Sequence, residues 1–121
     1  MLQGLRTAIY PTPDLTKGKE WYQRVLELDP YFDEAFYVGF AVGGFELGLV
    51  PDGEPSLAGV QVFWGVNDAE AELARLVAMD ANVHEQVKDV GGGIKVASVR
   101  DPFGNLFGII ENPLFKLDEV R

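Results

Sequence analysis

One order of elements, strand–helix–strand–strand–strand, is spelled twice along this chain, and that repetition limits its fold more than any other feature. In the first copy, Leu2–Tyr10 predicts a strand, stopped by Pro11 and Pro13, and Asp14 is placed as a helix N-cap. Leu15, Gly18, Trp21, Tyr22, Val25 and Leu28 then recur at helical spacing, up to the Asp29-Pro30 break. Short strands follow around Tyr31–Asp33, Phe36–Val42 and Phe45–Val50, the last two joined by Gly43-Gly44 as a tight hairpin. Pro51–Leu57 is a polar linker. The second copy opens with a strand over Gly59–Val66. Asn67, with Glu70 three residues on, has capping-box spacing for a helix that runs to about Met79, with Leu73, Leu76 and Val77 as its apolar stripe. Strands over Val83–Val90, Ile94–Arg100 and Leu106–Glu111 complete it, turned by Gly91–Gly93 and by Asp101–Gly104. The expectation is an α+β fold in one domain, residues 1–121. Module 1 spans about 1–52, module 2 about 58–113 and a tail 114–121, with the modules related by a pseudo-twofold.

Composition narrows the partners. The net charge of −9 makes nucleic acid and anionic membrane surfaces poor partners and favours a cationic or neutral small molecule. No apolar run approaches the about 18 residues of a membrane span, and no export signal opens the chain. Cysteine is absent, so disulfides and thiolate metal sites are excluded; a cytoplasmic location fits.

Strand parity distinguishes two faces. Phe45, Leu47 and Leu49, then Val62, Trp64 and Val66, then Phe107 and Ile109 form solid apolar faces expected to pack on the helices. The opposite faces carry Thr7 and Ile9, then Glu46 and Gly48, then Gln61, Phe63 and Gly65, then Leu106, Gly108 and Ile110. Three glycines on one face either let a curved sheet bend or leave room for a ligand; the second reading is taken, because they share a face.

The repeated β-α-β-β-β order, the segment TPDLTKGKEWYQRVLEL after the first strand and the closing RDPFGNLFGIIENP together resemble the glyoxalase/bleomycin-resistance/dioxygenase superfamily, also called the vicinal oxygen chelate superfamily. The resemblance covers nearly the whole chain. It implies paired βαβββ modules of curved mixed sheets whose concave faces form a cleft, and a homodimer. Metal enzymes of that superfamily take ligands, usually His, Glu or Gln, from the first and fourth strands of each module. Aligned on Asp14 and Asp68, the first-strand positions fall on Thr7 and Gln61, and the fourth-strand positions on Glu46 and Gly108. Only Glu46 and Gln61 can coordinate, short of the three protein ligands of a catalytic site, so no metal ligand set and no cofactor is assigned. On this alignment, Gly108 is where metal-binding relatives keep a carboxylate.

Glu46 is the candidate for chemistry, as a base or as a partner for a cationic group; a carboxylate on the rim in water is the alternative. Gln61 either orients a ligand through its amide or bonds nearby backbone. Phe63 is a candidate wall of the cleft, and Tyr10, Phe36, Tyr37 and Phe40 line either the cleft or a dimer contact. The expected ligand-binding set is Thr7, Ile9, Glu46, Gln61, Phe63 and Gly108. The lone histidine, His84, lies outside the ligand positions. The resulting expectation is a metal-free protein that binds a small molecule, of the sequestration or resistance type. The alternatives are a metal-dependent glyoxalase-type isomerase or lyase, a ring-cleaving dioxygenase, and a metal-free enzyme with Glu46 as base.

Overall fold

A computed structural model of the chain describes Met1 and residues 3–116; Leu2 of the expected first strand and residues 117–121 of the expected tail lie outside the described residues. The chain divides into two compact units, Met1–Pro55 and Ser56–Arg121.

The first unit holds β1 (Thr7–Pro11), α1 (Leu15–Leu26), β2 (Phe32–Glu34), β3 (Tyr37–Val42) and β4 (Phe45–Val50). They form one mixed sheet in the order β1-β4-β3-β2, with β1 and β4 parallel and the other pairs antiparallel. Strand β1 begins later than the sequence predicts, after Gly4 at φ +105°, a conformation that does not continue a strand. Asp14 caps α1 as expected, its Oδ1 accepting from the Lys17 N–H at 3.1 Å. The helix stops at Leu26 rather than Leu28 because Glu27 turns left-handed, at φ 57°. Trp21, Tyr22 and Val25 are buried with Ala8, Tyr10, Val38, Phe40, Leu47 and Leu49 of the sheet. Tyr10 and Phe40 are thus core residues and not cleft or dimer residues. Tyr10 stacks on Tyr22 at 6.1 Å between ring centroids, which commits it to the core face.

The second unit holds β5 (Phe63–Gly65), α2 (Ala69–Ala78), β6 (Asn82–Gly91), β7 (Ile94–Arg100) and β8 (Leu106–Glu111), in the sheet order β5-β8-β7-β6. Only β5 and β8 pair in parallel. The expected strand over Gly59–Val66 shortens to three residues, since Gly59 sits at φ +98° and the chain bends before Gln61. The N-cap of α2 is Asp68 and not Asn67: the Asp68 carboxylate accepts from the Ala71 N–H at 3.1 Å. A second α2 donor is met from β8, where Glu111 Oε1 accepts from the Ala69 N–H at 2.9 Å. Ala69, Leu73 and Leu76 bury against Ala97, Val99, Phe107 and Ile109. The turn before β8 is tied by Asp101, 1 % exposed, which accepts from the N–H groups of Phe103 (2.9 Å) and Asn105 (2.8 Å).

Each unit is therefore a βαβββ module with its helix on one face of a mixed sheet. Among the described residues, no helix is long and apolar enough to cross a membrane.

Two hydrogen bonds fix how the modules correspond. Thr12 N–H donates to the Val50 carbonyl at 2.7 Å, and Val66 N–H to the Ile110 carbonyl at 2.9 Å. The first-strand offset is thus 54 residues (12 to 66), and the fourth-strand offset is 60 (50 to 110). The ladders agree: Ile9 pairs with Gly48 as Phe63 pairs with Gly108, and Ala41 pairs with Glu46 as Arg100 pairs with Leu106. The sequence alignment, with its offset of 62 (46 to 108), had slipped two residues. The counterpart of Glu46 is Leu106, and the counterpart of Gly108 is Gly48.

Candidate functional site

The parallel register of β1 and β4 sets Thr7 beside Glu46, and the Glu46 N–H locks it there by donating to the Arg6 carbonyl at 2.7 Å. On the opposite side, the β3–β4 hairpin puts Ala41 across from Glu46 and Gly39 across from Gly48. Alternation along β3 turns Tyr37 to the same face as Gly39 and Ala41, away from the core residues Val38 and Phe40. Tyr31, just before β2, is held to that strand array by its N–H, which donates to the Gly39 carbonyl at 3.0 Å.

Three hydroxyls converge on the Glu46 carboxylate. Thr7 Oγ1 donates to Oε1 at 2.6 Å, Tyr37 Oη donates to the same oxygen, and Tyr31 Oη donates to Oε2. Two glycines make this convergence possible. A Cβ on Gly39 would come within 2.8 Å of Glu46 Oε2 and 3.2 Å of the rings of Tyr31 and Tyr37. A Cβ on Gly48 would collide with the Tyr37 hydroxyl and lie 2.7 Å from Cζ. The tyrosines lie over the sheet in the space these glycines leave.

The electrostatics follow from the hydrogen bonds. Partial burial pushes the Glu46 carboxyl up, but the hydrogen bonds from Thr7, Tyr31 and Tyr37 together outweigh burial and hold it below the usual carboxylate range. The Tyr31 phenol is raised, first by its hydrogen bond to Glu46 and then by desolvation and the carboxylate charge. Tyr37 is raised by burial and by Glu46, with the neighbouring Thr7 hydroxyl acting in the opposite direction. At neutral pH the cluster is one carboxylate anion with two neutral phenols and one neutral alcohol. A base that works near neutrality wants a raised carboxyl, and Glu46 moves the other way. Ile9, next to Thr7 on this face, is an apolar side chain 53 % exposed.

The remaining sequence candidates lie in the second unit. Gln61 is exposed and precedes β5, Phe63 is on β5 and 38 % exposed, and Gly108 is buried in β8. Gly108 leaves no room: a Cβ there would meet the Val62 carbonyl oxygen at 2.5 Å and the Phe63 ring at 2.8 Å. Gly48 is likewise filled, by Tyr37, and of the three glycines on the expected ligand face only Gly65 faces open space. Two of the three glycines read as vacancies for a ligand are therefore covered by the protein's own rings. His84 is exposed on β6.

The superfamily's metal positions map onto both modules of this chain. In corrected register they are Thr7, Glu46, Gln61 and Leu106. Leu106 offers no donor, the Thr7 proton is given to Glu46, and both Glu46 oxygens already accept hydroxyls. Among the described residues, no group of three or more His, Cys, Asp or Glu side chains is placed to hold a metal ion. This donor set does not fit a divalent metal.

Tyr31 and Tyr37 escaped assignment from sequence as Glu46 partners. Parity along β3 carried a signal for Tyr37, which is in phase with Gly39. Tyr31, expected in the strand around Tyr31–Asp33, lies one residue before β2 (Phe32–Glu34), where strand alternation does not orient it.

The family model of the Glyoxalase/Bleomycin resistance protein/Dioxygenase superfamily matches residues 4–109. Among solved structures, the chain is similar to a glyoxalase-related enzyme from Fulvimarina pelagi, with a TM-score of 0.76 and 19% identity over 95% of this chain and 92% of that one. It is similar to lactoylglutathione lyase from Agrobacterium tumefaciens, with a TM-score of 0.75 and 17% identity over 96% and 98%. A bleomycin resistance determinant encoded on the transposon Tn5 aligns with a TM-score of 0.69 and 18% identity over 92% and 99%. At these identities the shared property is the fold. No curated protein matches the sequence.

Proposed function

Since the chain belongs to the glyoxalase/bleomycin resistance protein/dioxygenase superfamily, we propose that it is a metal-free member that binds a small molecule, of the sequestration or resistance type, on the Glu46 face of its first module. The observation that carries this reading is the Glu46 carboxylate, ionised and held by three hydroxyls on an exposed sheet face beside Ile9. An anion fixed in this way anchors a ligand without reorganising, the condition that makes a polar contact selective. Its depressed carboxyl favours anchoring over proton abstraction. Thr7 and Ile9 complete the proposed contact set in this module. In the second module, taken by itself, Gln61 and Phe63 are exposed, and Gly108 seats Phe63.

A thermal-shift screen of small molecules, with every stabilising compound then assayed for turnover, tests this reading. Stabilisation without turnover, reduced in Glu46→Gln, is the expected result. Stoichiometric divalent metal in protein purified without chelator, or turnover that disappears with that metal, would overturn it. We also propose a homodimer, supported by the exposed apolar side chains Tyr31, Phe32, Phe36, Leu114 and Phe115, which are costly to leave in water. Light scattering at micromolar concentration is expected to give twice the chain mass.

A further inference from the structure

We infer that the Glu46 face selects organic cations that carry N–H groups, such as a protonated amine or an amidine, because its side chains present hydrogen-bond acceptors and no donors. This rests on the proposed binding at that face and names the class of ligand.

The inference comes from counting protons. A threonine or tyrosine hydroxyl has one proton to donate, and an ionised carboxylate has none. Thr7, Tyr31 and Tyr37 each spend that proton on Glu46. What their oxygens still offer is lone pairs. Glu46 Oε2 accepts from Tyr31 alone among these hydroxyls, whereas Oε1 takes both Thr7 and Tyr37, so Oε2 keeps capacity for one more donor. Arg6, the residue before β1, directs its guanidinium to the N-terminal segment, where it donates to the Gln3 carbonyl (3.3 Å), the Leu5 carbonyl (3.4 Å) and Gln3 Oε1 (3.1 Å).

A ligand carboxylate or phosphate brought to this face would meet lone pairs and a negative charge, with no donor to replace its lost water. A neutral carbonyl would fare little better. A protonated amine or amidine reverses each term, since its N–H groups point at acceptors and its charge opposes that of Glu46. The phenol rings add a surface that favours cations, and exposed Ile9 offers an apolar contact for the body of the ligand.

A matched set of probes on one benzene ring tests the inference on the full chain: benzamidine, benzylamine, benzyltrimethylammonium, benzyl alcohol and benzoate. Binding is read by calorimetry and by NMR shifts of the Thr7, Tyr31 and Tyr37 resonances. Benzamidine and benzylamine are expected to bind at those residues, and Glu46→Gln to weaken them about tenfold or more, as for loss of a charge-assisted hydrogen bond. Benzyltrimethylammonium has the charge without the N–H and is expected to bind about tenfold more weakly than benzylamine. Equal binding of those two would overturn the donor requirement. Benzoate or benzyl alcohol moving the same resonances at equal or higher affinity would overturn the ligand class and leave the binding face standing. If no probe moves these resonances at millimolar concentration, the class and the face fail together. The comparison among probes uses the unaltered protein, so it decides even where Glu46→Gln fails to fold.

Discussion

At matching places in the two modules, Gly48 and Gly108 leave the same gap in the sheet, and different rings close it. Over Gly48 lies the Tyr37 phenol, on its way to Glu46; against Gly108 lies the Phe63 ring, with the Val62 carbonyl beside it. The neighbours diverge in the same sense. Glu46 in the first module corresponds to Leu106 in the second, and Gly39 to Ser98. The first module thus carries an anion with its hydroxyl escort, and the second an apolar cover. The same backbone supports both because only the outward parity positions differ, while the core positions Leu47 and Leu49 match Phe107 and Ile109, all buried. The lesson is that a glycine in a sheet marks a close approach, and that what approaches need not be a ligand.

The largest expected effect tests that lesson directly. Gly108→Ala places a methyl 2.5 Å from the Val62 carbonyl, which is backbone and cannot rotate away. We expect a loss of about 2 to 3 kcal/mol in urea unfolding, despite the better strand propensity of alanine, as for overpacking a filled interior. Gly65→Ala meets nothing within 4 Å and is the control; its effect is expected within about 0.5 kcal/mol of zero. Equal effects at the two positions would show that Gly108 is not sterically constrained.

Gly48→Ala sharpens the comparison from the other side. The obstructed atoms there belong to the Tyr37 side chain, which can swing, so a smaller loss of about 1 kcal/mol is expected, near the value of one hydrogen bond. The distinguishing sign is electrostatic: with Tyr37 displaced, the Glu46 carboxyl should titrate higher than in the wild type, followed by carbon-13 NMR of its Cδ.

Much of the fold was legible in the sequence. The Asp14 cap, the Gly43-Gly44 hairpin and the full extents of β4, β7 and β8 follow from local chemistry and alternation. Parity put Thr7, Ile9, Glu46 and Gly48 on one face. The correspondence of the fourth strands was not legible: the helix starts are anchored by the cap aspartates Asp14 and Asp68, whereas the hairpins differ in length and carry no marker of register. The Phe63 cover on Gly108 and the tyrosine escort of Glu46 were also hidden: both are tertiary approaches set by which neighbour fills a gap, which strand periodicity does not encode.

Glu46 and its tyrosines should also give the first module a signature in stability against pH. The Glu46 carboxyl is lowered in the folded protein, so its contribution is present above the unfolded carboxylate value and is lost as pH falls through the folded one. The two phenols are raised, so theirs is present below the ordinary phenol value of 10.0 and is lost as pH rises through the folded values. Denaturation of Glu46→Gln across both ranges is expected to show flatter acid and alkaline limbs than the wild type. Unchanged slopes on both sides would mean that the hydroxyl cluster does not persist in solution.

The smallest expected effect comes from placing Glu46's chemistry where the second module lacks its escort. Leu106 occupies the counterpart position, opposite Arg100 on β7 and only part-buried. In Leu106→Glu the new carboxylate would face neither tyrosine nor threonine at matching places: the Thr7 counterpart is Gln61 and the Tyr37 counterpart is Val96. With no tyrosine or threonine hydroxyl aimed at it, and with Arg100→Ala in the same variant to match Ala41 opposite Glu46, its carboxyl should be less depressed than that of Glu46, and stability should change by about 1 kcal/mol or less. The two carboxyls in one variant can be followed in a single NMR titration, each serving as reference for the other. If the carboxyl at 106 titrated as low as Glu46, the depression would have to come from the strand position that the modules share. If the two separate as expected, the three hydroxyls are its source, and the difference between the modules lies in the side chains that reach position 46.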